Sequence, residues 1–133
     1  MSLRARLRGV IERVAGGVAG AGDLGLELVW ADEMPAIVND PRLVRRAHAV
    51  GGETLGTANV HAIGVPPMTA DDFARFAELG PALYLKLGVA GGDPWPPLHA
   101  STFDVDERCI GTGIVALHAL VLDLLARPLA KEG

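Results

Sequence analysis

A chain of 133 residues is long enough for one domain with a modest core. Half of its residues are hydrophobic and 21% are charged, a balance that offsets the entropy of ordering and excludes a disordered chain. A net charge of −4 gives no electrostatic reason to bind nucleic acid or an anionic membrane.

Arg4, Arg6, Arg8 and Arg13 gather near the start, but they share a helix with apolar positions and read as its solvated face. Cys109 is the sole cysteine, which excludes an intrachain disulfide and a secreted, disulfide-stapled fold; with no membrane-spanning run or signal-peptide core in view, a cytoplasmic location is the default expectation. At the start of an apolar helix, that thiol reads as a small buried hydrophobe. No apolar run reads as a membrane span or as the core of a signal peptide. Met1-Ser2-Leu3 and Glu132-Gly133 look vector-derived and carry no functional weight.

In chain order, Leu3, Leu7, Val10, Ile11, Val14 and Val18 recur at helical steps, and the glycines from Gly16 to Gly22 should end that helix. Leu24, Leu26, Leu28 and Trp30 alternate, which predicts a half-buried strand over 24–30. After an extended crossing at 34–38, Asn39-Asp40-Pro41 supplies a cap and a first-turn proline for a second helix. Its apolar face is Leu43, Val44, Ala47 and Val50, and it should fade by Gly51-Gly52 or Gly56. A short strand is expected at 59–63. A helix is expected at 70–79, opened by a Thr69/Asp72 capping box, and a strand inside a sheet at 82–87. The stretch from Gly91 to Pro97 must be loop. A long helix then covers about 106–127, stopped by Pro128, with Ile110, Ile114, Leu117, Val121 and Leu125 facing inward.

Two stretches carry chemistry: Met68-Thr69-Ala70-Asp71-Asp72-Phe73, and Leu98-His99-Ala100-Ser101-Thr102-Phe103-Asp104-Val105-Asp106-Glu107. Together they resemble the C-terminal part of the M20 metallopeptidases, in the amidohydrolase branch of hippurate hydrolases and N-acyl-amino-acid hydrolases. That family carries a Met-Gly-Ser-Glu-Asp-Phe-like motif and then a His-Ser-Pro-Xaa-Phe-Asp-Phe-Asp-Glu-like motif.

The resemblance implies an α/β (α+β) fold: a partial phosphorylase/hydrolase-like catalytic domain with helices packed on a short sheet. Residues 1–33 would be a helix-strand remnant of the lid domain, and 34–133 the closing part of the catalytic domain. The function implied is hydrolysis of an amide bond in an N-acyl amino acid or small peptide, with a zinc- or manganese-activated water.

His99 would be a metal ligand, and Asp71 and Asp72 would lie beside the site. Read from its spacing alone, without the family, His99 is better taken as a histidine satisfied by a backbone carbonyl in a rigid loop. Likewise, Asp71 serves equally as a helix-start acid. The sequence departs from the family pattern at Thr69, Ala70, Asp71, Ala100 and Ser101.

A hydrolytic metal site needs about three ligands and a general base. The family's other ligands and its glutamate come from a portion that has no counterpart here. His48, His61 and His118 match no motif position. This chain alone is therefore expected to bind no stable metal and to be inactive. The alternatives are a free-standing, non-catalytic assembly or binding domain, or a segment that pairs with a separately encoded half. Bare sheet edges and apolar faces would favour self-association. Trp30 and Trp95 read as residues that seal core edges.

Overall fold

The computed structural model describes residues 3–31 and 34–130. They fall into two compact units, one within Met1–Glu33 and the other within Met34–Gly133.

In the first unit, α1 spans Leu3–Ala21. It runs through Gly16, Gly17 and Gly20, where the sequence led us to expect its end, although each interior glycine costs about 1 kcal/mol relative to alanine. The helix stops at Gly22. Asp23 takes the left-handed conformation at φ 49°, and the Leu24 N–H returns to the Ala19 carbonyl at 2.9 Å. The chain then doubles back along α1. The Trp30 indole donates to Glu12 at 3.2 Å, and the Arg8 guanidinium lies 4.9 Å from the centre of its ring.

In the second unit, α2 spans Pro41–Leu55. Asp40 caps it as the sequence suggests, accepting from the N–H groups of Arg42 (2.7 Å) and Leu43 (3.4 Å), with Pro41 in the first turn. Gly56 ends the helix at φ 86°, a conformation that a β-carbon would strain, and a 3₁₀ turn follows at Thr57–Asn59. A single turn, α3, spans Ala74–Ala77, and α4 spans Arg108–Ala126. Helices α2 and α4 pack together, burying Leu43, Val50 and Leu120. Arg46 clamps the pair by donating to Asp123 and to the Arg127 carbonyl (3.2 Å). Arg42 reaches the Ala130 carbonyl at 3.3 Å.

The expected α/β fold, with helices on a short sheet, is not what forms. Among the described residues there are four α-helices and one 3₁₀ turn, and no β-strand. A strand exists only through a partner for its peptide groups, and the straight segments at 24–30, 60–63 and 82–87 find none of strand type. The expected helix at 70–79 shrinks to α3 for a similar local reason. Asp71, rather than a Thr69/Asp72 box, takes up the free N–H of Phe73 at 2.8 Å.

The inward face of α4 is also displaced. Ile114 and Leu125 are 63% and 72% exposed, whereas the sheltered line is Cys109, Gly113, Ala116, Leu120 and Leu124. That is a shift of one residue, or about 100° around the helix. Helix α1 does the same: Val18 is 69% exposed while Ala19 is buried. By length and composition α4 is also long and apolar enough to cross a membrane, which corrects the reading that no run qualifies.

Leu43→Ala should lower unfolding stability by about 2 kcal/mol or more, because it opens a cavity between α2 and α4. Leu117→Ala, on the open face of α4, should cost less than about 0.5 kcal/mol. Urea titration followed by helical circular dichroism would measure both.

Candidate functional site

The His99 loop is closed at its root. The Asp106 N–H donates to the Val89 carbonyl at 2.8 Å, so the chain leaves and returns at one point. Inside it, the Trp95 indole donates to the Asp104 carbonyl at 2.9 Å. Gly91 admits no side chain, since a β-carbon there would sit 2.6 Å from an Asp106 carboxylate oxygen and 2.9 Å from the Trp95 ring. Turns from Pro97 to Ala100 and from Ala100 to Phe103 shape the tip.

His99 sits between those turns, exposed, at φ 69°. A non-glycine residue holds that conformation at a cost of about 1–3 kcal/mol, and such strain gathers at functional sites. Among the described residues its imidazole has no hydrogen-bond or ion-pair partner, so no backbone carbonyl satisfies it.

Asp71 and Tyr84 form a second polar group. Asp71 accepts from the Phe73 N–H at 2.8 Å with one oxygen and from the Tyr84 hydroxyl at 3.0 Å with the other. The Phe73 N–H, and then the tyrosine, hold the carboxyl below its usual range. The same carboxylate pushes the Tyr84 phenol up. Phe73 packs on the tyrosine ring at 5.3 Å between centroids. Asn39 then grips the Tyr84 backbone, accepting from its N–H at 2.7 Å and donating to its carbonyl at 3.0 Å. Beside it, the Asp40 N–H donates to the Ala82 carbonyl at 2.9 Å. Neither Asn39 nor Tyr84 stood out as a site residue in the sequence. The signals were an Asn-Asp pair with only one capping role to fill, and the chain's single tyrosine.

No bond joins His99 to Asp71 or Asp72, and Asp72 is exposed. Among the described residues no three His, Cys, Asp or Glu side chains are placed to share a metal ion. His48, His61 and His118 are exposed on separate elements. A cleft of about 270 Å³ opens at the start of α4, lined by Gly88, Val89, Ala90, Asp106, Arg108, Cys109 and Thr112, without His99. Its carboxylate is already taken: the Arg108 guanidinium pairs with Asp106 and holds its carboxyl down at about 2.

Comparison with known proteins gives this geometry a context. A probable hydrolase of Synechocystis sp. PCC 6803 is 32% identical over 93 residues, 68% of this chain and 24% of its own length. The N-acetyldiaminopimelate deacetylase of Lactobacillus acidophilus is 40% identical over 58 residues, 44% of this chain and 15% of its own length. The chain is related to hydrolases. Thermostable carboxypeptidase 2 of Saccharolobus solfataricus extends the match to 90% of this chain at 25% identity, covering 30% of that enzyme. The chain thus spans less than a third of each of these relatives. No family model and no solved structure matches it.

The Asp71–Tyr84 bond has a direct readout, since Tyr84 is the only tyrosine. Its phenol should titrate above the ordinary tyrosine value of about 10, and Asp71→Asn should bring it back. Absorbance at 295 nm follows the ionisation. The carboxylate's share of stability is present above its unfolded pKa and is lost as pH falls through its depressed folded value. Wild type should therefore lose more stability than Asp71→Asn below about pH 4.

Proposed function

We propose that this chain is the closing segment of an M20-type, metal-dependent amidohydrolase or peptidase. In that reading the whole enzyme hydrolyses an amide bond in an N-acyl amino acid or small peptide. The supporting observation is His99: strained, exposed and without a partner among the described residues, on a loop braced at Val89, Gly91 and Trp95. A neutral imidazole in that state suits zinc or manganese as one ligand of a set. The named activities of two relatives, a deacetylase and a carboxypeptidase, are both amide cleavages.

In the proposed role His99 contributes one nitrogen ligand, and the loop supplies its orientation. The bound metal would lower the pKa of a water and polarise the substrate carbonyl. Asp71 is occupied by Phe73 and Tyr84, so its part is to place the tyrosine-bearing segment rather than to accept a proton. The unit within Met1–Glu33 is, in the same proposal, the end of the lid domain. In the same proposal the remaining ligands and the general base would lie outside the span that this chain shares with its relatives. Alone, the chain then neither retains stoichiometric zinc or manganese nor turns over an amide. The second reading, a non-catalytic assembly domain, draws support from the open apolar faces of α1 and α4.

Two measurements test the proposal. Metal analysis of the purified chain, beside an N-acyl-amino-acid hydrolysis assay with added zinc or manganese, should return neither bound metal nor turnover. The chain can also replace the matching segment of the Lactobacillus deacetylase. That chimera should be active, and His99→Ala in it should lower activity at least about 100-fold. An active chimera indifferent to His99→Ala would remove the ligand role and leave the assembly reading.

A further inference from the structure

His99 occupies a turn in which a histidine is costly. The Ala100 N–H donates to the Pro97 carbonyl at 3.1 Å, and of the two residues between them only His99 has a positive φ, 69°. That is the pattern of a type II turn, whose second inner position favours glycine. A turn that merely reversed the chain would be better served by glycine there. With histidine in place, contacts outside the turn have to hold the backbone.

Trp95 is placed to supply them. Its indole N–H reaches the Asp104 carbonyl at 2.9 Å, which ties the limb entering the tip to the limb leaving it. Both turns of the tip, Pro97 to Ala100 and Ala100 to Phe103, lie between those two residues. The same ring rests on Gly91, where a β-carbon would stand 2.9 Å from its Cζ3 and 3.0 Å from its Cη2. One side chain therefore joins the root of the loop to its exit limb.

From Trp95 to the turn the backbone has little freedom. Pro96 and Pro97 fix their own φ angles, and a residue that precedes proline is confined to extended backbone, which covers Trp95 and Pro96. A shift of the indole is thus passed on to Leu98 and His99 rather than absorbed. The other brace acts farther away, since Val89 and Asp106 close the loop only at its root.

We propose that Trp95 is the positioning residue for His99, holding its backbone left-handed so that the imidazole meets a metal ion in one preset orientation. This role rests on the metal-ligand reading of His99. A ligand already fixed loses less freedom on binding, and outer contacts that orient a ligand matter by about 10- to 100-fold in metal affinity.

Proton NMR of the full chain reads the bracing without any metal. In wild type the amide and α protons of His99 should give the strong intraresidue NOE of a positive φ. Trp95→Ala should weaken that NOE at least about twofold and speed exchange of the Ala100 amide at least about tenfold, while the amides of α2 and α4 keep their rates. Trp95→Phe keeps a ring on Gly91 but loses the bond to Asp104, and should fall between the two. It also decides the matter where Trp95→Ala fails to fold.

His99→Gly separates bracing of the histidine from general support of the loop. Glycine holds a positive φ unaided, so in that background Trp95→Ala should change Ala100 exchange by at most about twofold. In the active deacetylase chimera, Trp95→Ala should weaken zinc affinity at least about tenfold. Wild-type readings at His99 and Ala100 in a folded Trp95→Ala or Trp95→Phe variant would overturn the proposal, as would an equal effect with and without His99→Gly. Zinc affinity that falls with His99→Ala and not with Trp95→Ala overturns the positioning role alone. Zinc affinity indifferent to His99→Ala overturns the ligand reading beneath it.

Discussion

Helices α1 and α4 leave most of their large apolar side chains exposed. In α4 the sheltered line contains Cys109, Gly113, Ala116 and Leu120, while Ile110, Ile114, Leu117, Val121 and Leu125 stand open. In α1 it is Ala15 and Ala19 that are sheltered, with Val14 and Val18 outside. Small residues permit close approach but remove little apolar area from water, and burial of apolar area is the main driving force for folding. The few buried side chains, Leu43, Val50, Ala74 and Leu120 in the second unit, therefore carry most of what hydrophobic contact can supply there. Polar clamps do correspondingly more of the positioning. Asp123 takes Arg46 from α2 and Arg127 from its own helix end, and its carboxyl is held low by both.

The same shortage explains why side chains substitute for strand partners. Asn39 meets the N–H and carbonyl of Tyr84 with its amide, reproducing the two bonds that a neighbouring strand would make. Asp40 adds its backbone N–H to Ala82 while its carboxylate, held at about 2 chiefly by the Arg42 side chain, caps α2. One dipeptide thus joins the start of a helix to the edge of a straight segment. The segment keeps its direction without a sheet, at the cost of leaving its other edge open.

The parts of this arrangement set by local chemistry could be read from the sequence. Asp40-Pro41 announces the start of α2, Leu43 and Val50 announce its buried face, and Gly56 and Pro128 lie just beyond helix ends. Periodicity also located the apolar stripes of α1 and α4 correctly. It failed on which way they face, because a stripe says where burial would be favourable and not whether the chain itself supplies the cover. The three expected strands failed for a related reason: alternation predicts a conformation, whereas a ladder requires a second segment at the right distance. Gly16, Gly17 and Gly20 misled in the other direction, since a helix already capped at Asp23 and Leu24 tolerates them. Among site residues, His99 was visible through its motif. Tyr84 and Asn39 were not, because their partnership spans 45 residues and depends on the turn at Asp71.

That long-range partnership bears directly on the histidine. The straight segment ends at Val89, whose carbonyl holds Asp106, and Asp106 closes the loop on which His99 sits. On one side the segment is fixed through Tyr84 by Asp71 and Asn39, and on the other through Leu87 by α4. Gly91, two residues beyond Val89, leaves no room for adjustment because the Trp95 ring and the Asp106 carboxylate fill the space a side chain would need. The strained backbone at His99 is therefore sustained by a chain of contacts that begins at Asn39 and passes through the segment with the open edge. Strain at one residue persists only where the surroundings over-determine it. Here the over-determining contacts are mostly single hydrogen bonds: Val89 to Asp106, Trp95 to Asp104, and the two turns at Pro97–Ala100 and Ala100–Phe103.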